Sequence, residues 1–234
     1  ERFPKLIKLY LDRCEISNLD FLEHVGKLES LSLGNNKLRD ESLQTLIDRS
    51  WDNLSDLTFL NIGMQERDMD GNFGYVDAGS SNYYTDMEKL ASLPNEFSKL
   101  TELELAKTRI TSLRAFAGVR GDISINFSDN KITDFAGITD FTKFTLARQS
   151  YTIPGMYVEG ETVDIPAGEI QTLLRRIQDK NDPLHGKITC TGCSLSDDAK
   201  SLTIQTKPEN GVKVEVENGE LRRSKFTLSS IKAQ

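Results

Sequence analysis

Cys190-Thr191-Gly192-Cys193 places two thiols three residues apart, a spacing that chemistry uses in several ways. Such a pair can cycle as a redox couple, supply half of a zinc site, or close a small structural disulfide. A redox couple expects a βαβ setting, and the neighbouring segments here read as strands. A zinc site needs two further ligands, and the remaining Cys and His side chains are Cys14, His24 and His185. His185 is near in sequence, so all three readings stay open, with structural thiols or a Cys190–Cys193 disulfide the expected one. His24 falls in a repeat turn and His185 in the turn Leu184-His185-Gly186, where both read as solvated side chains. Asp68, Asp70, Asn72 and Asp77 form an oxygen-rich stretch that hints at calcium. Phe73 stands where a calcium loop needs glycine, and Gly79 where it needs the bidentate glutamate. The stretch is therefore a weak alternative, and the reading assigns no metal, no cofactor and no catalytic residue. The motif search reinforces that, since neither a nucleophile elbow, a phosphate loop, a dinucleotide fingerprint nor a His-Glu-x-x-His pair occurs. The chain is read as a non-enzyme.

The elements that carry these residues repeat. Leu6, Leu9, Leu11, Cys14 and Ile16 follow the skeleton L-x-x-L-x-L-x-x-C-x-I. Leu28, Leu31, Leu33, Asn36 and Leu38 restate it with asparagine at the polar place. Leu57, Leu60 and Ile62 lead to Gln65; Leu100, Leu103 and Leu105 to Thr108; Ile125 and Phe127 to Asn130; Phe141, Phe144 and Leu146 to Gln149. The polar places are 14, 36, 65, 108, 130 and 149, giving spacings of 22, 29, 43, 22 and 19. Each unit opens with a period-two strand whose leucines face inward. The polar residue then serves backbone groups inside the turn. Units stacked ~4.8 Å apart share a core that none could bury alone. Cys14, at the polar place of the first unit, is expected to pack as a buried thiol.

This pattern resembles the leucine-rich-repeat family, and the 22-residue units, with Ile16-Ser17-Asn18-Leu19 and Ile132-Thr133-Asp134-Phe135 after the polar residue, are similar to the bacterial internalin type. The fold class expected is an α/β leucine-rich-repeat solenoid with a curved parallel sheet, over residues 1–153, followed by a small mostly-β sandwich-like domain over 154–234. The resemblance implies that the second domain is immunoglobulin-like. It also implies a surface or secreted bacterial protein that recognises a protein ligand.

Two departures from regularity are informative. Leu43, Leu46 and Ile47 have helical spacing, with Asp40 as N-cap. The 43-residue spacing holds an insertion at 66–92, read as loop from its Gly, Ser, Asn and Asp content. In the C-terminal part, Ile170, Leu173, Leu174 and Ile177 predict a helix over 169–180. Strands are predicted at 162–166, 187–191, 201–206 and 212–217 and through Phe226, Leu228 and Ile231.

The outward strand positions gather on the concave face of such a sheet. Tyr10, Phe59, Asn61, Met64, Glu102, Glu104, Asn126 and Arg148, joined by Tyr75, Tyr83 and Tyr84 of the insertion, are the expected partner contacts. Tyr10, Phe59 and Met64 beside the tyrosines are expected to form an aromatic hot spot.

The chain has 234 residues, 29 basic against 36 acidic, and a net charge of −7. An acidic chain lacks the footprint that draws proteins to nucleic acid, so no nucleic-acid partner is expected. No segment approaches the ~20 apolar residues of a membrane span. Glu1 lies already inside the pattern, so the chain is expected to be processed or trimmed, with any signal or anchor outside it. A monomer is expected. Two other readings compete: a carbohydrate- or cell-wall-binding module using the same tyrosines, and a cytosolic leucine-rich-repeat adaptor.

Overall fold

The computed structural model describes residues 3–48, 52–64, 84–132, 134–153, 160, 162–165, 169–205, 213–217 and 224–228. Short strands stand where the repeat predicts them: β1 Lys8–Tyr10, β2 Ser30–Ser32, β3 Phe59–Asn61, β4 Glu102–Glu104, β5 Ser124–Asn126 and β6 Phe144–Thr145. They form a six-stranded sheet in sequence order, with every neighbouring pair parallel. The register links Leu9, Leu31, Leu60, Leu103, Ile125 and Phe144 into one row. From Leu31 onward that row is fully buried, as is the next inward row of Leu33, Ile62, Leu105 and Phe127. Where leucine gives way to phenylalanine the interior is filled edge to face, with Phe116–Phe127 and Phe127–Phe144 ring centroids 4.8 and 5.5 Å apart.

Each strand ends in the same left-handed step. Arg13, Asn35, Met64, Lys107, Asp129 and Arg148 have φ between 47° and 62°. None is glycine, and left-handed backbone costs such residues ~1–2 kcal/mol each. A repeated hydrogen bond offsets the cost. The N–H groups of Arg13, Asn35, Met64, Lys107 and Asp129 donate to the carbonyls of Gly34, Gly63, Ala106, Ser128 and Ala147 at 2.7–3.1 Å. The residue that follows the step is buried and polar in Asn36, Thr108, Asn130 and Gln149. Asn36 shows why. Its Oδ1 accepts from the Cys14 and Ile16 N–H groups at 2.9 and 3.0 Å, and its Nδ2 donates to the Leu11 and Leu33 carbonyls at 2.8 and 2.9 Å. The Gln149 Oε1 likewise accepts from Ile132 N–H at 3.0 Å.

Cys14 does not play this part. Its thiol is exposed and donates to the Asp12 carbonyl of its own turn, 3.4 Å away. In the first unit the turn's N–H groups are served from the next unit by Asn36, and no described unit packs on the outer side of β1 to bury the sulfur.

The return segments vary with their length. Single-turn 3-10 helices at Asp20–His24 and Arg114–Gly118 close short units, and α1 Asp40–Asp48 closes the second. The end of the insertion is also helical: α2 spans Met87–Glu96 and packs against α1. This corrects the loop reading of 66–92 over its last residues. Asp86 caps α2, its carboxylate accepting from Lys89 N–H at 3.1 Å, and Leu90, Leu93 and Phe97 bury one face. Asp40 is corrected as well. It is the first helical residue of α1, and its carboxylate receives the Thr85 hydroxyl and the Thr85 and Asp86 N–H groups.

The chain divides into two compact units: 1–110 with 115–128 and 138–145, and 111–114 with 129–137 and 146–234. The division does not run as one cut after residue 153. The second unit holds β7 Ser150–Ile153, β8 Thr162–Asp164, α3 Glu169–Gln178, β9 Lys187–Thr191, β10 Cys193–Leu195, β11 Ser201–Ile204, β12 Lys213–Glu217 and β13 Ser224–Leu228. One sheet has the order β10-β11-β8 and the other β7-β13-β12-β9. The β13–β7 pair is parallel, and α3 packs on β9; both features differ from the antiparallel ladders of an immunoglobulin sandwich. Leu173, Leu174, Ile177, Val163, Leu202 and Ile204 are buried.

Candidate functional site

Alternation along β1–β5 sends one residue in two to the open face of the sheet. Its first column in the register is Lys8, Ser30, Phe59, Glu102 and Ser124, and its second Tyr10, Ser32, Asn61, Glu104 and Asn126. Tyr10 is 58% exposed, Glu102 is exposed, and Phe59, Asn61, Met64, Glu104 and Asn126 are half-buried.

Much of the second column is held in place by its neighbours. The Ser32 hydroxyl donates to Asp12 Oδ1 at 2.7 Å. Asn61 Nδ2 donates to Ser32 Oγ at 3.0 Å and to Asp12 Oδ1 at 3.3 Å, while its Oδ1 accepts from Gly63 N–H at 3.0 Å. The chain must be bare beside this network. A Cβ on Gly34 would lie 2.7 Å from both Asn61 Nδ2 and Asp12 Oδ1, and one on Gly63 2.8 Å from the Ala106 carbonyl oxygen. Further along, Asn126 Nδ2 donates to Glu104 Oε2 at 2.6 Å, and Asn126 Oδ1 accepts from Ser128 N–H at 2.9 Å. Burial pushes the Glu104 carboxyl above its ordinary range, and the Glu102 charge adds to this; the Asn126 bond opposes both.

Among the described residues, Tyr10, Phe59 and Met64 do not gather into one aromatic cluster. β2 separates Tyr10 from Phe59, roughly 10 Å at normal strand spacing, and Met64 lies in the turn beyond β3. Phe59 is flanked in register by Ser30 and Glu102. Tyr84 is corrected outright. It is 2% exposed, its hydroxyl donates to the Ile62 carbonyl at 3.2 Å, and burial drives its pKa far upward. It anchors the end of the insertion to the core and cannot meet a partner. Tyr75 and Tyr83 lie outside the described residues, as do Asp68, Asp70, Asn72 and Asp77 of the calcium alternative. Arg148 lies in the second unit. It pairs with Asp129 through Nε–Oδ1 at 2.8 Å and Nη2–Oδ2 at 2.6 Å, and that bond holds its pKa above the ordinary value.

The polar network of Asp12, Ser32 and Asn61 is what sequence reasoning missed. The signal was available: Ser32 and Asn61 share one register position, and Asp12 follows the strand two residues beyond Tyr10. Outside the sheet, Cys190 and Cys193 are joined in a disulfide with Cα atoms 5.3 Å apart. His185 Nδ1 lies 3.0 Å from the Ile177 carbonyl at the end of α3.

These features fit a solenoid: six short parallel strands in chain order, a repeated left-handed step, and a polar rung between units. No family model and no curated relative matches the chain. Among solved structures, the chain is similar to an internalin-like protein of Listeria monocytogenes, lmo2027, at 13% identity and a TM-score of 0.45, covering 98% of this chain and 65% of that one. It is also similar to the functional domain of InlJ from Listeria monocytogenes, which includes a cysteine ladder, at 13% identity and a TM-score of 0.28, covering 98% of this chain and 82% of that one. The chain thus spans 65% of the length of the first of these proteins.

Proposed function

We propose that this chain is a non-enzymatic recognition module of a bacterial surface or secreted protein, binding a protein ligand on the concave face of its solenoid sheet. The observation that carries the reading is the mixed character of that face. Half-buried Phe59 stands between Ser30 and Glu102, in a sheet whose neighbouring side chains are already fixed by Asp12–Ser32–Asn61 and Glu104–Asn126 bonds. Side chains ordered before binding lose less entropy on contact, and an aromatic among polar neighbours is the composition of a protein-binding hot spot. The contact set is Tyr10, Phe59, Asn61, Met64, Glu102, Glu104 and Asn126, with the insertion tyrosines Tyr75 and Tyr83 as further members; Arg148, in the second unit, is left out of it. The disulfide is in keeping with an oxidising compartment. Residues 154–234 are read as an immunoglobulin-like sandwich variant that has gained a helix.

An array of cell-surface ectodomains, probed with the chain and with Phe59→Ala/Met64→Ala, tests the assignment. A ligand captured by the parent should bind at least about tenfold more weakly to the double variant. Equal binding discards the face. Removal of residues 70–82, which leaves Tyr84 in the core, tests the insertion separately. A glycan array tests the carbohydrate reading; strong signal there with none on the protein array would replace the proposal.

A further inference from the structure

The charge of the open face is concentrated at one place. Of the outward residues that β2–β5 set in its two columns, only Glu102 and Glu104 are charged. They stand two residues apart on β4, with Cα atoms roughly 6.6 Å apart at normal strand rise, so their like charges repel. Other half-buried carboxylates are better provided for. Asp56, Asp86, Asp129, Asp134 and Asp182 each have a lysine or arginine nitrogen at 2.5–3.3 Å. Asp40 receives the Thr85 hydroxyl and the Thr85 and Asp86 N–H groups. Among the described residues, Glu104 receives only the Asn126 amide, on Oε2, and neither Glu102 nor Glu104 has a cation beside it. Burial and the Glu102 charge both push the Glu104 carboxyl upward, as expected of a partly desolvated charge that lacks a counter-charge.

Phe59 completes the arrangement. It is opposite Glu102 in register, one strand spacing of ~4.8 Å away, and its half-buried ring lies on the same open face. An aromatic ring next to two carboxylates that lack a counter-charge is complementary to a flat cation. Such a group can stack on the ring and turn several N–H bonds from its edge toward the oxygens, which describes the arginine guanidinium. A lysine ammonium is a compact, strongly hydrated point charge that answers the carboxylates without stacking. We propose that the protein ligand of the concave face lays an arginine side chain over Phe59 and bonds its guanidinium to Glu102 and Glu104. The inference rests on the concave-face reading and adds the chemistry of the partner, a segment whose contact residue is basic.

Peptide titrations of the chain, followed by NMR, test it. The probes are acetyl-Gly-Leu-Arg-Leu-Gly-amide and the same peptide with citrulline or lysine in place of arginine. Citrulline keeps the shape of arginine and removes its charge. The arginine peptide should bind about tenfold or more tightly than the citrulline peptide, and its arginine methylenes should give intermolecular NOEs to the Phe59 ring. Glu102→Gln/Glu104→Gln should lower the arginine peptide to the citrulline level, and Phe59→Leu should weaken both. Equal binding of the arginine and citrulline peptides, each weakened by Phe59→Leu, overturns the inference and leaves the concave-face reading standing. A lysine peptide that binds as well as the arginine peptide overturns the assignment to arginine. A preference for arginine that survives both the double glutamine variant and Phe59→Leu puts the cation elsewhere and overturns it too. So does the absence of binding by any probe up to about 10 mM, in which case the ectodomain array with Phe59→Ala/Met64→Ala still decides the concave-face reading by itself.

Discussion

The six-stranded ladder and the C-terminal strands are made of equally short β segments, yet they are specified differently. In the ladder, one residue position has one job in most of the described units. A leucine or its equivalent fills the shared row, the step residue takes positive φ, and the next residue bonds the turn. In the C-terminal unit each strand has its own partner and its own sense. β8, β11 and β10 pair antiparallel, and β7 joins β13 in parallel. A helix and a disulfide supply what periodicity does not. The lesson is that repetition makes a residue's role readable from its place, whereas a non-repeating β unit must be read strand by strand.

The contrast can be broken most strongly in the middle of the ladder. Leu60 packs between Leu31 and Leu103 with no exposed surface. Leu60→Ala should cost about 3–5 kcal/mol, measured by urea unfolding; a loss below about 1 kcal/mol would mean that the units do not share a core. Next comes the polar rung. Asn36→Ala strands the Cys14 and Ile16 N–H groups and two carbonyls, and should cost about 2–4 kcal/mol. Cys14→Ala, at the same repeat position, should change stability by less than about 0.5 kcal/mol, because its side chain is exposed. Equal effects would erase the distinction between the first unit and the rest.

In the C-terminal unit, reducing Cys190–Cys193 should destabilise its strands by about 2 kcal/mol, the loop being short. Hydrogen exchange should quicken in β9 and β10 and stay unchanged in β2–β5. The left-handed step gives a smaller effect. Lys107 has φ 57°, so Lys107→Val should lose about 1–2 kcal/mol, while Lys107→Gly should be neutral or gain up to about 1 kcal/mol. The smallest effect is at Glu104. Its carboxyl titrates above the ordinary value because burial disfavours its charge. The folded state therefore favours the protonated form, and this contribution is present below the ordinary glutamate range and lost as pH rises through the raised value. Glu104→Gln should accordingly raise Tm at pH 7 by about 2 °C or less, with the gain vanishing near pH 4.

How much of this was legible in the sequence follows the same divide. Leu31, Leu60 and Leu103 announce their row by spacing alone, and Asn36 and Gln149 announce the rung. Cys14 misled because spacing marks a place in the unit and not whether another unit covers it. α2 went unread because the polar composition before it masked the helical spacing of Leu90, Leu93 and Phe97, and Tyr84 was grouped with the tyrosines preceding it. The C-terminal helix and most strands were visible from local periodicity. The β7–β13 parallel pair was not, since it joins segments more than 70 residues apart and leaves no local signal. On the open face, residue types gave the candidates, but the bonds among Asp12, Ser32 and Asn61 depend on register across three strands.

The central claim is that consecutive units lie side by side in parallel register and expose one face. Methyl NOE spectroscopy with leucine and isoleucine labelling tests it directly. The account predicts an unbranched chain of contacts from Leu31 to Leu60, Leu60 to Leu103 and Leu103 to Ile125. Contacts that skip a unit, or that pair Leu31 and Leu60 with unrelated segments, would contradict it.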